Sequence, residues 1–402
     1  MKITFLLEYQ KKDGDRYTLS GDFATLNEAR IFYRYTNQPP LKDNEELPTG
    51  LKIVGIKPGL RLYEDSYYKL DIGRAQIQRT GNTSFESYII DFSNVRFEQG
   101  ETIIENNNDI LSSLDKAQTS MLEGKLATLL DSIPDSIEGE SEFVRVNNVG
   151  QGNWNEYHIG NRIPLVYDLG TNMNASNADI RALIDKIFPN YKASPKKPLL
   201  VISHWDLDHY KCLLELQMTE LILFECFVVK EILPTATAKK AYDRIKSIPR
   251  VKILAISSPT SHTSSEIVQL IEKENKVSLY HGIGNNRNTT GIIVNVSNKN
   301  ALTILSGDCA WYQINHLLRE EAITKKKRCC NIVVPHHGSG KDISFKGFVV
   351  PYTWTYSSAA ISVGKKNIYK HPYSSVVNYI KGLFDRNVYR TDDKNGPIDL
   401  KM

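Results

Sequence analysis

From residue 143 onward, short apolar runs alternate with stretches of helical period, and this alternation constrains the chain more than any other feature. "FVRVNNVG", "EYHIGN" and "IPLVYDLG" read as strands, "NADIRALIDKIF" as a helix, "PLLVISH" as a buried strand and "YKCLLELQ" as a helix. "ATAKKAYDRIKSI" and "SSEIVQLIEKE" carry apolar positions at helical spacing, whereas "VKILAIS", "KVSLYHGI", "GIIVNV" and "LTILSGD" read as strands. Such a chain folds as an α/β domain, and in open α/β sheets ligands gather at the carboxyl ends of the strands.

Residues 1–110 follow a different grammar. "KITFLLEY", "LKIVGIK", "YKLDIGRAQIQ" and "ESYIIDFSNVRFE" are strand-like and separated by Gly, Asn, Asp and Pro clusters. "DILSSLDKAQTSMLEGKLATLLDSI" then has helical spacing, and the acidic "PDSIEGESE" reads as a linker. The expected organisation is a β-rich domain over residues 1–138, ending in a helix, and an α/β domain over 139–402.

Composition narrows the setting. No apolar run approaches the roughly 18 residues of a membrane helix, and the start, "MKITFLLEYQKKDGD", is too short in apolar residues for a signal sequence. The expectation is a cytoplasmic protein with no membrane partner. Its five cysteines, Cys212, Cys226, Cys309, Cys329 and Cys330, lack CxxC spacing and read as reduced, mostly core thiols. Charge is uneven: residues 325–402 carry 14 Lys and Arg against 5 Asp and Glu, in a chain of net +4. A solvated surface is one account of this bias, and attraction of a polyanion or phosphorylated substrate is the other.

The strand ends carry the chemistry. His204-x-Asp206-x-Asp208-His209 follows "PLLVI" directly, so four metal-competent side chains leave one strand end within six residues. Imidazole and carboxylate are ligands for zinc, manganese or iron. The alternative is a polar loop in which an Asp caps the next helix. Downstream, "LTILSGD" ends on Asp308, "NIVVPHHGS" on His336 and His337, and "ISVGKKNIYKHP" on His371; upstream, "IPLVYDLG" ends on Asp168. Asp308 as a helix cap and Asp168 as a turn brace are the plain readings of each alone. Yet five of the nine histidines fall in such contexts, and His158, His262, His281 and His316 do not.

The order "NVGQGNW", "VYDLG", "SHWDLDH", "ILSGD", "VVPHHGS", "ISVGKKNIYKHP", "VYRTDD" resembles the metallo-β-lactamase fold superfamily, and its details resemble the metallohydrolase domain of ComEC-like competence proteins. The resemblance implies an αββα sandwich with a one- or two-metal site at the strand edge. It implies His204, Asp206, Asp208, His209, Asp308 and one of His336 and His337 as ligands, with Asp168 supporting the metal loop. It also implies phosphodiester hydrolysis of nucleic acid. Tyr210, Lys211 and Cys212 stand where that family has small residues, Asn153 stands where an acid is common, and the family's channel-forming part is absent. Asp206 stands where the superfamily's HxHxDH pattern has histidine, and a carboxylate there tilts the choice toward manganese, with zinc or iron as alternatives.

In the mechanism this implies, two divalent ions activate water, with Asp308 bridging and Asp208 orienting the nucleophile. His371, beside Lys365, Lys366 and Lys370, either protonates the leaving oxygen or contacts phosphate, or else simply packs before Pro372. Gly338 and Ser339 offer donors to a phosphate oxygen or form a tight turn. The expectation is a nuclease or phosphodiesterase acting on nucleic acid. The alternatives are a hydrolase of another ester or amide, a silent recognition protein, and an effector of a bacterial defence system whose N-terminal domain binds a protein partner.

Overall fold

The computed structural model of the chain describes residues 1–36, 47–79, 87–95, 104–107, 110, 114–117, 125–136, 139–257, 267–274, 276–323, 327–340, 343–348, 357–365, 367, 369–385, 387–394 and 396–402. They divide into two compact units, one made of Met1–Ala117, Asn174–Asp179 and Ile232–Asp243, the other of Gln118–Met173, Ile180–Glu231 and Arg244–Met402. Among the described residues no helix is long and apolar enough to cross a membrane, and all five cysteines are buried free thiols.

The first unit is built on one seven-stranded sheet. Lys2–Asp13 turns back through Gly14 and Asp15 onto Arg16–Phe23, and Gly14, at φ +63°, supplies the positive φ that a two-residue hairpin needs. The helix Leu26–Tyr35 starts at Thr25, whose hydroxyl accepts the Glu28 N–H at 3.2 Å, and it buries Ala29 and Phe32. Phe32 packs edge-on to Tyr88 with ring centres 4.6 Å apart, in a core with Phe5, Phe23, Ile53 and Leu70. The sequence reading of a β-rich segment missed this helix.

The second unit holds two seven-stranded sheets. In one, Arg162–Tyr167, Leu199–Val201, Cys226–Lys230 and Ile253–Ile256 run parallel. In the other, Ala301–Leu305, Cys329–Val333, Ala359–Ile361 and Val388–Arg390 run parallel. Val144, Tyr157, Val201 and Val228 of the first sheet share one core with Leu279, Val294, Leu305 and Val333 of the second, so the sheets lie face to face. The second sheet's outer face, with Ile293, Ile304 and Ile332, packs on Trp311, Ile314, Val376 and Ile380 of the helices Trp311–Leu317 and Ser374–Leu383. Phe188 and Tyr191 of the helix Asn177–Ala193 meet Trp154 and Phe224 beside the first sheet. The layers are therefore helix, sheet, sheet, helix, the αββα order expected from the sequence. Strands buried on both faces must be apolar at nearly every position, which is why they read as unbroken runs.

Two local expectations change. "SSEIVQLIEKE" is not a helix over its described part: Val268–Lys273 is a strand paired antiparallel with Val277–Gly282. Its backbone gains a ladder of hydrogen bonds at the sheet edge, and such tertiary pairing outweighs weak helical spacing. The helix read between residues 109 and 133 holds over Lys125–Asp131 alone among the described residues, since Lys116 instead bridges Ile232 antiparallel, and Leu126, Leu130 and Ile133 lie in the core of the second unit.

Candidate metal centre

Both sets of parallel strands point their carboxyl ends at one place. Leu199–Val201 leads into Ser203 and His204, then into the one-turn helix Leu207–Tyr210. Asp206 holds the N-cap position of that turn in extended conformation but makes no side-chain cap bond, so its carboxylate is not used as the capping reading supposed. Likewise Ala310, not Asp308, occupies the N-cap of Trp311–Leu317. The loop lies tight against the preceding strand end: a Cβ on Gly170 would sit 1.6 Å from the carbonyl oxygen of Asp208. Only glycine fits there, which explains "DLG".

His204, His209 and Asp308 form one group of potential ligands, and Asp208, His209 and His337 a second, with donor atoms within 4.8 Å of one another in each. His209 Nε2 is 3.1 Å from Asp308 Oδ1, and His337 Nε2 is 3.3 Å from Asp208 Oδ2. His204 Nε2 lies 3.4 Å from Asp206 Oδ2. His204 Nε2, His209 Nε2, His337 Nε2 and Asp308 Oδ1 are buried and make no hydrogen bond. Buried polar atoms are almost always paired, because an unmet donor or acceptor costs on the order of 1–3 kcal/mol. His204, His209 and Asp308 supply three of them to one group and His337 supplies the fourth to the other, and donors of this kind fit cations.

The outer nitrogens fix which way the imidazoles face. Asp168, at φ +63° and fully buried, accepts from the Ser203 N–H at 2.7 Å, the Ser203 hydroxyl at 2.9 Å and His209 Nδ1 at 2.7 Å. With its proton given to Asp168, the Ser203 hydroxyl accepts from His204 Nδ1 at 3.0 Å. His337 Nδ1 donates to the Ser362 carbonyl at 2.7 Å. All three rings are thereby held as Nδ1–H tautomers, with Nε2 lone pairs directed at the cluster, as ligating histidines require. Burial alone would drive His209 neutral, but Asp308 and Asp168 against its two nitrogens raise its pKa well above the usual value, so a cation binding at Nε2 would displace a proton there. For Asp308, burial opposes ionisation, yet His336, His209 and His337 around it hold its carboxyl well below the ordinary range.

The remaining candidates take different places. His336 and His337 follow one another at φ +49° and +52°, a strained turn that brings both rings to Asp308, His337 Nε2 lying 3.9 Å from Asp308 Oδ1. His336 Nε2 is 3.5 Å from Asp308 Oδ2, but its side chain is 30% exposed against 1% for His337. His371 stacks on Tyr369 and meets His336 edge-on, with ring centres 5.8 and 5.7 Å away. The Ser339 N–H donates to the His336 carbonyl at 2.8 Å, so that donor closes the tight turn. A Cβ on Gly338, at φ +77°, would meet Pro372 at 2.7 Å. Asn153 sits with Nδ2 at 3.4 Å from His209 Nδ1, and its N–H donates to the Asp208 carbonyl, so it braces the metal loop. His262 lies outside the described residues, and His281 and His158 stand on strands away from both groups.

Sequence reasoning missed two cations. Arg287, in the loop between Val277–Gly282 and Ile292–Ser297, places Nη1 3.0 Å from Asp206 Oδ1. Burial works against the charge of Asp206, but Arg287 and His204 beside it hold its carboxyl below the ordinary value. Lys230, at the end of Cys226–Lys230, is buried with its amine against His281 Nε2, and burial pushes its pKa down to about 7. Nothing in "NNRNTTG" or "FVVK" marks either residue, because both partners are distant in sequence.

No protein-family profile matches the chain, and no curated protein matches it. Three solved structures show distant likeness. Tm1679, described as a metal-dependent hydrolase of the β-lactamase superfamily, is 12% identical over 65% of this chain and 99% of its own, with a TM-score of 0.37. The short form of human tRNase Z is 10% identical over 62% of this chain and 92% of its own, at 0.35. A mutant of the CmlA β-hydroxylase is 9% identical over 85% of this chain and 70% of its own, at 0.33. Likeness this distant assigns neither family nor reaction, which leaves the cluster itself to speak.

Proposed function

We propose that the second unit is a metal-dependent hydrolase that cleaves phosphodiesters, a nuclease or phosphodiesterase using two divalent cations, manganese or zinc. The observation that carries this reading is the set of four buried, hydrogen-bond-free donor atoms on His204, His209, His337 and Asp308. His209, whose one free nitrogen can serve a single cation, would with His204, Asp308 and the neighbouring Asp206 hold one cation, and Asp208 and His337 would contribute to the other. Divalent cations supply Lewis acidity and a water nucleophile at neutral pH.

The chain's own residues do the rest. Asp208, 13% exposed at its side chain and 3.3 Å from His337 Nε2, would orient the attacking water. His371, whose ring centre lies 5.7 Å from that of His336, would protonate the leaving oxygen. Lys365 and Lys370 bring positive charge to the same loop, which suits a phosphodiester better than a neutral ester or amide. For the first unit we propose recognition of a substrate or protein partner, within a bacterial defence system: it has its own core, and residues 1–117 contain no histidine.

The test is divalent-dependent cleavage of a panel of DNA, RNA and cyclic nucleotides, abolished by Asp308→Ala. If the metal-loaded protein leaves every phosphodiester intact while hydrolysing an ester, thioester or amide, the phosphodiesterase reading is wrong and the hydrolase reading stands.

A further inference from the structure

The three strands that carry the metal cluster have a second set of ends. Ala301–Leu305 runs on to Asp308, Cys329–Val333 to His337, and Ala359–Ile361 to Ser362, whose carbonyl holds His337. Their amino ends open into a groove of about 730 Å³, lined by Ala301, Cys329 and Ser358 and closed on one side by the strand Ile398–Lys401. At about 3.3 Å per residue, the groove lies on the order of 15 Å from the cluster, at the opposite edge of the sheet. It is not the site described above.

Its chemistry is that of an anion site with an apolar floor. Arg328, Lys394 and Lys401 line it, and none of the three forms an ion pair among the described residues. The one acid on its wall, Asp399, is already taken by Arg145 through two hydrogen bonds of 2.8 Å each. Among the described residues, no free side-chain anion on its wall opposes the three side-chain cations. These are part of the basic C-terminal segment, and the metal cluster does not use them. Ala301, Cys329, Ile398 and Tyr389 form the floor and flank, with Lys394 Nζ 5.4 Å from the centre of the Tyr389 ring. Ser358 and Asn300 line the groove as further polar residues. Three cations match a dianion better than a monocarboxylate. An aromatic flank and a volume inside the range of about 300–1,000 Å³ for ligand sites call for an organic body.

We infer that this groove binds an organic phosphate of nucleotide size, separately from the catalytic site and whatever that site cleaves. The phosphate sits among Arg328, Lys394 and Lys401, and the body lies against Tyr389 and the apolar floor.

Calorimetric titration of the metal-loaded full chain, and of its Asp308→Ala variant so that binding at the metal centre is told apart from binding in the groove, with AMP, GMP, CMP, UMP and inorganic phosphate tests this. One nucleotide per chain is expected, bound more tightly than inorganic phosphate. Arg328→Glu combined with Lys401→Glu should weaken it by about tenfold or more without changing metal content. The milder Arg328→Gln, Lys401→Gln pair should weaken it less, which guards against a folding defect. Four results overturn the assignment: no nucleotide binds, inorganic phosphate binds as tightly, charge reversal leaves affinity unchanged, or a single-stranded oligomer outcompetes every mononucleotide.

Discussion

Asp168→Asn isolates the support of the metal loop from everything else at the site. Asparagine has almost the same shape and tolerates positive φ, so the backbone at φ +63° is not disturbed. Its Oδ1 can still accept from the Ser203 N–H, but its amide nitrogen replaces the oxygen that receives the Ser203 hydroxyl and His209 Nδ1. Two donors then face each other at His209. The imidazole either loses a charge-assisted bond worth about 1.5–3 kcal/mol or moves its proton to Nε2, the atom aimed at Asp308. Either outcome weakens metal binding, and loss of such outer partners lowers affinity by about 10–100-fold. At about 1.4 kcal/mol per tenfold, that is roughly 1.4–2.8 kcal/mol, close to the value of the lost bond. The assay is competition for Mn²⁺ or Zn²⁺ against a chromogenic chelator, with the urea midpoint of the metal-free protein as control. A variant that keeps wild-type metal affinity would refute the claim that Asp168 fixes the His209 tautomer.

Other expectations follow from the same geometry. His337→Ala should remove about one metal equivalent per chain by elemental analysis, whereas His336→Ala should leave the content nearly intact; equal losses would undo the distinction drawn from their exposure. Arg287→Met should lower metal affinity by about tenfold, and adding Asp206→His should recover it, because an imidazole needs no cation to balance it; failure of the double variant to recover would show that Arg287 does not act through Asp206. Lys230 predicts a slope of stability with pH. The unfolded amine keeps its proton up to about 10.5 while the buried one releases it near 7, so the unfolded state holds more protons between these values. Stability should therefore rise across that window by about 1.4 kcal/mol per pH unit. Lys230→Met should flatten the profile measured by urea unfolding, and an unchanged slope would assign it to another group. A chain beginning at residue 118 should unfold at higher urea than one beginning at 139, since only the former keeps Leu126, Leu130 and Ile133 in the core of the second unit.

Much of the site was legible because its chemistry is written in residue type and local position. Asp168, His204, Asp208, His209, Asp308 and His337 each follow an apolar strand within a few residues. A parallel sheet brings such strand ends together whatever the details of packing. The α/β class was legible for a related reason, since strands covered on both faces must be apolar throughout and the helices between them apolar on one face, whereas the four-layer order was an expectation carried by the resemblance of the motifs. The folding of "VQLIEK" as an edge strand was less legible, since its pattern is compatible with both periods and its partner strand settles the matter.

What the sequence determined by itself was therefore the supply of ligand-type side chains at strand ends and the α/β layout that delivers them. The tertiary structure alone decided three things: that His337 rather than His336 is buried against Asp208, that Arg287 balances Asp206 from 81 residues away, and that Arg328, Lys394 and Lys401 gather at the far edge of the sheet. The physical reason is one of range. A side chain's chemistry and a strand's period are local properties, whereas burial, charge balance and the choice of imidazole nitrogen depend on neighbours that only the folded chain brings within a few ångströms.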